Sequence, residues 1–282
     1  MGAVSLLLSA ILSIYDKNLL LKYNLRWYDV LSRFNIDSIL YYSDGLLFRI
    51  PPSPGDVLTI SLLHDGDGAD IFAPQKDDVV IDIGAHLGGY AVRASKIVGL
   101  NGKVIAIEAN PARCKLLSNT VQLNSLTNID VFNLAASSNE GMLTLYDSGL
   151  TGSPLKKAAE SFFVNFDTYD IPSTSIDSIV DDFELSEIDW VKIDVDGGEK
   201  EVIMGMTKTL SISKNLVIEV IGANLDFVLN TLSSNGFETV TTLHMDASES
   251  WKINYDVFFL LQRPEGRLIL SYLILSYLIN LH

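Results

Sequence analysis

The stretch Val79-Val80-Ile81-Asp82-Ile83-Gly84-Ala85-His86-Leu87-Gly88-Gly89-Tyr90 decides the fold. Val79 to Ile83 is an apolar run broken only by Asp82, and it ends in small residues, the pattern of a buried strand entering a tight turn. Beyond it, Ala91-Val92-Arg93-Ala94-Ser95-Lys96-Ile97 mixes apolar and polar residues at a helical period. Glycine lets a backbone approach a ligand, and the first turn of a helix offers unpaired N–H groups. Strand, glycine turn and helix are therefore read as the opening of an α/β unit that binds a nucleotide or nucleoside.

Glycine spacing separates the candidate ligands. A dinucleotide fingerprint starting at Gly84 needs glycine at position 86, which here is His86, so an NAD-dependent dehydrogenase is disfavoured. The pattern acid-x-Gly-x-x-x-Gly of Asp82, Gly84 and Gly88 instead resembles the first motif of S-adenosylmethionine-dependent methyltransferases. Such a ligand needs room for its methionine end beside the turn, at Gly84, Ala85 and His86, and an acid such as Asp82 facing its ammonium. A second acid, roughly 20 residues beyond the glycines, should meet the ribose hydroxyls. Glu108, with Ala109 behind it, closes the apolar run Val104-Ile105-Ala106-Ile107 and stands 20 positions after Gly88 (108 − 88).

Asn110 can cap the next helix and Pro111 can occupy its first position. That helix carries an apolar face through Leu116, Leu117, Thr120, Val121 and Leu123. Ile129 to Leu134 reads as a third strand, and Ala135-Ala136 leaves small side chains beside which an adenine ring could lie flat.

The order of motifs resembles the FkbM family of S-adenosylmethionine-dependent methyltransferases. The matching runs are Val80-Ile81-Asp82-Ile83-Gly84-Ala85, Glu108-Ala109-Asn110-Pro111, the Leu116–Asn124 helix, Ala135-Ala136-Ser137 before Glu140-Gly141, and Thr174-Ser175-Ile176-Asp177. They end with Lys192-Ile193-Asp194-Val195-Asp196-Gly197-Gly198-Glu199, similar to a Lys-Ile-Asp-Val-Glu-Gly-x-Glu signature with Asp196 in place of Glu. His86, where the family tends to have Asn, is a second departure. The likeness spans about residues 70 to 262, and the two ends do not match.

The resemblance implies an α/β, Rossmann-like class I methyltransferase fold: a seven-stranded, mostly parallel sheet with a C-terminal antiparallel hairpin. The residues alone add a strand at Leu216–Val220, a helix over Leu225–Leu232, and strands at Phe237–Leu243 and Tyr255–Leu261 with no helix between them. Met142–Tyr146 and Phe162–Phe166 read as extra strands, and the loop Asp147–Glu160 as a lid or a surface loop.

The division expected is an N-terminal helical and short-strand extension at 1–73, the methyltransferase domain at 74–262, and an apolar C-terminal segment at 263–282. Residues 15 to 45 look helical, with Tyr23, Trp27, Tyr28 and Phe34 on one side; Leu46–Ile50 and Val57–Leu63 look like strands. The polar run His64–Asp70 lacks the remaining ligands of a calcium loop and reads as a surface turn. Met1–Ile14 is apolar but has no basic residue before it, a poor secretory signal. Leu268–Leu281, with its near-repeat Leu-Ser-Tyr-Leu-Ile, would span about 21 Å as a helix, short of the ~30 Å hydrocarbon core. It is read as a docked segment or a contact in a homo-oligomer, with peripheral membrane attachment beside Arg263 and Arg267 as the alternative.

The formal charge of −15 argues against nucleic-acid partners, whose phosphates need Lys and Arg. The single cysteine, Cys114, excludes an intrachain disulfide and a cysteine-based zinc site, and fits a cytoplasmic setting. The four scattered histidines show no metal-ligand spacing, so no metal ligands are assigned; Mg²⁺ held by carboxylates is kept as an open alternative.

Methyl transfer chiefly needs the acceptor brought within ~3–3.5 Å of the methyl carbon on the right axis, helped by a base. Asp194, Asp196 and Glu199 follow one strand end and Glu219 lies near another, so these carboxylates are read as converging. Asp194 and Glu219 are the catalytic candidates, Asp194 also touching cofactor, with His86 or His244 as substitutes. The acceptor implied by the resemblance is a hydroxyl on a sugar, glycolipid or related small molecule. A tRNA methyltransferase and a non-catalytic cofactor-binding interaction protein are the rival readings.

Overall fold

The computed structural model describes residues 38–52, 56–57, 59–60, 71–147, 152–153, 167–244 and 256–262. In chain order the elements are β1 (Ile39–Ser43), β2 (Leu46–Ile50), β3 (Val79–Ile83), α1 (Gly89–Val98), β4 (Lys103–Ile107), α2 (Pro111–Leu123), β5 (Ile129–Phe132), β6 (Ala135–Ala136), β7 (Gly141–Asp147) and β8 (Gly152–Ser153). They continue with β9 (Asp167–Thr174), α3 (Ile176–Asp182), β10 (Ile188–Ile193), α4 (Glu199–Met204), α5 (Thr207–Ile212), β11 (Ser213–Ile221), α6 (Leu225–Ser234), β12 (Glu238–His244) and β13 (Asp256–Gln262).

The main sheet has seven strands in the order β12-β13-β11-β10-β3-β4-β5. The five from β11 to β5 are parallel, while β13 runs antiparallel to both neighbours. The C-terminal hairpin is thus part of the sheet, with its second strand against β11 and its first at the edge. Parallel strands are covered on both faces, and the side-chain period of two divides them cleanly. Ile81 and Ile83 of β3 with Ile105 and Ile107 of β4 pack under α3 to α6, against Val180, Val202, Leu210 and Leu232. Val80, Val104 and Ala106 face the other way, onto Ala91 and Val92 of α1 and Leu117 of α2. Each such isoleucine or valine stabilises the fold by roughly 1.5–3 kcal/mol on full burial. Asp82 shares the α1 face with Val80, so its carboxylate lies inside the sandwich.

The α1-side core also takes in Phe48 and Ile50 of β2. The end of the run read as helical, residues 39–43, is instead strand β1, because Asp44 and Gly45 both adopt positive φ (56° and 74°) and close a two-residue hairpin with β2. Along the other edge of β2, side chains of α2 supply the missing partners: Asn124 Oδ1 accepts from Leu47 N at 2.9 Å, Asn124 Nδ2 donates to Leu47 O at 2.7 Å, and Thr120 Oγ1 accepts from Arg49 N at 2.8 Å. In Val57–Leu63, expected as a strand, the described residues Val57, Thr59 and Ile60 are helical. Ile60 is fully buried and its carbonyl accepts from the Arg93 guanidinium at 2.8 Å, so tertiary contacts override β propensity there.

A second sheet, β6-β9-β7-β8, is built by the chain between β5 and α3. The expected strand at 142–146 is β7, whereas β9 falls at Asp167–Thr174, where none was expected. The strand expected at 162–166, most of the loop 147–160, the run 64–70 and the terminal segments 1–37 and 263–282 lie outside the described residues. Among the described residues no helix is long and apolar enough to cross a membrane.

Candidate functional site

The turns after β3, β4 and β10 open on the carboxyl edge of the parallel sheet, where α/β folds bind ligands. Gly84 has φ +79°, and a Cβ there would fall 1.7 Å from the Asp194 carbonyl oxygen. A Cβ on Gly88, at φ +87°, would stand 2.3 Å from Leu117 Cδ1 and 2.8 Å from Val92 Cγ2. These glycines make room for neighbouring protein as well as for a ligand: β10 closes on the first and α2 on the second. His86 also sits at positive φ, 52°, a conformation rare for most non-glycine residues but several-fold enriched in Asn, Asp and His.

A cavity of about 470 Å³ lies over this edge. Its floor includes Ile83, Gly84, His86, Glu108, Ala109 and Asp194. The second sheet raises its wall through Ala135 and Ala136 of β6 and Leu143 and Leu145 of β7. Eight of the residues singled out from the sequence thus line one space: Gly84, His86, Glu108, Ala109, Ala135, Ala136, Asp194 and Asp196. Asp82, Ala85, Gly88 and Glu219 are not part of the lining; Ala85 and Gly88 shape the turn from behind.

Glu108 is buried at the end of β4. Its Oε2 accepts the His86 N–H at 2.7 Å and its Oε1 the Asn110 N–H at 2.8 Å, so it ties the two turns together. Burial pushes its carboxyl above the usual range, against the pull of those N–H groups and of Arg113. Asn110 caps α2 as its sequence suggests, accepting from Ala112 and Arg113 N–H, with Pro111 in the first turn. Asn110 Nδ2 also donates to Asp147 Oδ2 at 2.6 Å and Arg113 pairs with Asp147 Oδ1 at 3.3 Å, which latches β7 to α2.

Asp82 is fully buried. Register sets Lys192 of β10 directly beside it, and Lys192 Nζ stands 3.2 Å from Asp82 Oδ1 and 3.2 Å from Asp194 Oδ2. Among the described residues neither Asp82 oxygen has an aligned hydrogen-bond donor, so this ion pair compensates its burial. Lys192 also donates to the Gly84 carbonyl at 3.3 Å and lies 5.0 Å from the centre of the Tyr90 ring. Burial would lower the Lys192 pKa, but Asp194 and Asp82 outweigh it and raise it, so the ammonium stays charged. Burial pushes Asp82 up, with Lys192 opposing, and takes the Tyr90 phenol to about 12. His86 is lowered to about 3, first by burial and then by Arg113. Its imidazole is neutral at ordinary pH. Glu219 follows the residue paired with Ile193, one strand over from Asp194.

Among the described residues no three His, Cys, Asp or Glu side chains gather closely enough to hold a metal ion. Glu199 turns inward, accepting from Gly197 N at 2.6 Å and Asn224 Nδ2 at 2.5 Å, and closes the Asp196–Gly198 turn. Lys192, Arg113, Leu143 and Leu145 were given no role from the sequence. For Lys192 a signal existed: a lysine inside the apolar run Trp190–Ile193 of a parallel strand, two residues before Asp194 and hence on the same face.

Residues 82–239 match the methyltransferase FkbM domain. A hexuronic acid methyltransferase, AglP, of Haloferax volcanii is 29% identical over 237 residues, covering 83% of this chain and 86% of that protein. In structure the chain is similar to M. jannaschii TYW2 in complex with AdoMet, at 14% identity and a TM-score of 0.44, covering 80% of this chain and 87% of that one. It is also similar to the M. jannaschii tRNA m1G37 methyltransferase, at 16% identity and a TM-score of 0.47, covering 81% and 55%.

Proposed function

This chain belongs to the FkbM methyltransferase family, and from that premise we propose that it methylates a hydroxyl of a sugar, glycolipid or related metabolite with S-adenosylmethionine. The observation that carries the reading is the shared cavity: the Gly84 turn, Glu108 and Asp194 line one space at the carboxyl edge of the sheet. Its volume of about 470 Å³ suits a ligand of nucleoside size with an amino-acid tail, since such pockets run from ~300 to 1,000 Å³. The likeness to a hexuronic acid methyltransferase supports a sugar as acceptor.

In this reading Glu108 holds the ribose hydroxyls, and Ala109, Ala135, Ala136, Leu143 and Leu145 enclose the adenine. Gly84 and His86 border the methionine end, with Ala85 and Gly88 fixing the turn. Asp82 acts from behind the turn through Lys192. When bound, the sulfonium supplies an electrophilic methyl group. Asp194, one-third exposed on the cavity side, takes the proton of the acceptor hydroxyl as the oxygen loses it. Glu219 stands outside the lining, so the proposal rests the base role on Asp194 alone.

Calorimetric titration with S-adenosylmethionine and S-adenosylhomocysteine, with NAD as control, tests the reading. The first two should bind and NAD should not. Glu108→Ala should keep the fold by circular dichroism and weaken both at least about tenfold, from the loss of hydrogen bonds to a charged group. Wild-type affinity in that folded variant overturns the ribose assignment. Methyl incorporation should then appear with a sugar or glycolipid acceptor and not with tRNA.

A further inference from the structure

Lys192 has more contacts than the neutralisation of Asp82 requires. A single carboxylate balances the charge of a buried ammonium but leaves N–H donors over, and here these reach Asp194, which lines the cavity, and the carbonyl of Gly84, which starts the turn. The same turn is braced from β10, since Asp194 N donates to Ile83 O at 3.0 Å and the Asp194 carbonyl fills the space a Cβ on Gly84 would need. Lys192 itself is out of reach of the cavity, 4% exposed and covered by Tyr90.

We propose that Lys192 is a positioning residue: its ammonium, held between Asp82, Asp194 and the Gly84 carbonyl, fixes the Asp194 carboxylate against the glycine turn as one rigid rim facing the cationic end of S-adenosylmethionine. The inference rests on the proposed cofactor, and it assigns Asp82 an indirect part, as the buried anchor that keeps Lys192 in place. The charged and titratable groups that act on Lys192 or on the Tyr90 ring over it are Asp82 on β3, Asp194 just after β10, Tyr90 on α1, Glu219 on β11, and His86 and Glu108 on the two turns. Removing the cation leaves the Asp194 carboxylate without the contact that holds it against the turn.

The test is calorimetric titration of the full chain with S-adenosylhomocysteine at pH 7, on wild type, Lys192→Met and Lys192→Arg. Folded Lys192→Met should bind at least about tenfold more weakly, and the conservative Lys192→Arg should recover most of the wild-type affinity. Wild-type affinity in folded Lys192→Met overturns the inference. If Lys192→Met does not fold, the pair Asp82→Asn with Lys192→Met leaves no lone charge in the core and is compared with Asp82→Asn alone. Weaker binding in the pair supports the positioning role, and equal binding reduces Lys192 to a counter-ion and overturns it. Absence of binding by the wild type would instead sink the cofactor reading.

Discussion

Two lysines on adjacent strands each meet two carboxylates, at opposite ends of the same sheet. At the carboxyl edge Lys192 of β10 meets Asp82 and Asp194 and is 4% exposed. At the other edge Lys214 of β11 meets Glu187 at 2.5 Å and Asp189 at 2.7 Å and is 43% exposed. Asp189 also accepts the Val79 N–H at 2.8 Å, so both clusters touch β3, one at each end. The contacts are alike and the solvent is not. Water screens the outer cluster and can replace either partner, whereas nothing replaces Lys192 beside Asp82. Proximity of charges therefore says little about their weight until burial is added.

Replacing the two lysines is the most direct way to break the comparison. Lys192→Met strands a buried carboxylate and should destabilise the fold by about 3–5 kcal/mol, read by urea denaturation. Gly84→Ala attacks the same cluster without touching charge, because the added methyl group meets the Asp194 carbonyl at a positive-φ position; a loss of more than about 2 kcal/mol is expected. If Gly84→Ala were neutral, the close approach of β3 and β10 would not be what locks the Lys192 cluster.

His86→Asn sharpens the comparison by titration. The native state denies His86 a proton until about pH 3, while the unfolded chain takes one near 6.5, so this group's contribution is present above pH 6.5 and is lost as pH falls toward 3. The Asn variant, at home at positive φ, should keep the fold and lose stability less steeply over that window. The difference should stay below about 1.4 kcal/mol per pH unit, since 29% of the side chain reaches solvent. An unchanged slope would mean the imidazole is hydrated in the native state. Lys214→Met should have the smallest effect, under about 1 kcal/mol and vanishing in high salt, when followed by thermal melting at two ionic strengths.

What could be read beforehand followed from local pattern. The Val79–Ile83 strand, its glycine turn, Glu108 at the next strand end, the Asn110 cap and the late antiparallel strands were all legible. Their signals lie within a few residues of one another. The pairing of Asp82 with Lys192 was not legible, because it depends on the register of strands 110 positions apart. Without that register Asp82 reads as an acid facing ligand, and the structure turns it into the core. The wall of the cavity was missed for a related reason: Leu143 and Leu145 alternate on a strand that looks ordinary, and β9, which fixes it, is too polar to stand out. The Asp44-Gly45 turn was in plain view, but aromatic spacing upstream suggested a helix that would have run through it.

The hairpin at Ile39–Ile50 carries a consequence for how copies of this chain meet one another. An unpaired strand edge is a template for another chain, and proteins commonly blunt it with charge or proline. Here Thr120 of α2 and Asn124, its C-cap, occupy the N–H groups of Leu47 and Arg49 and the C=O of Leu47, which a further strand would need. A helix thereby imitates the next strand with two side chains. It keeps the edge of β2 from recruiting a neighbour, and the protection against edge-to-edge aggregation comes from the same helix that Asn110 caps beside Glu108.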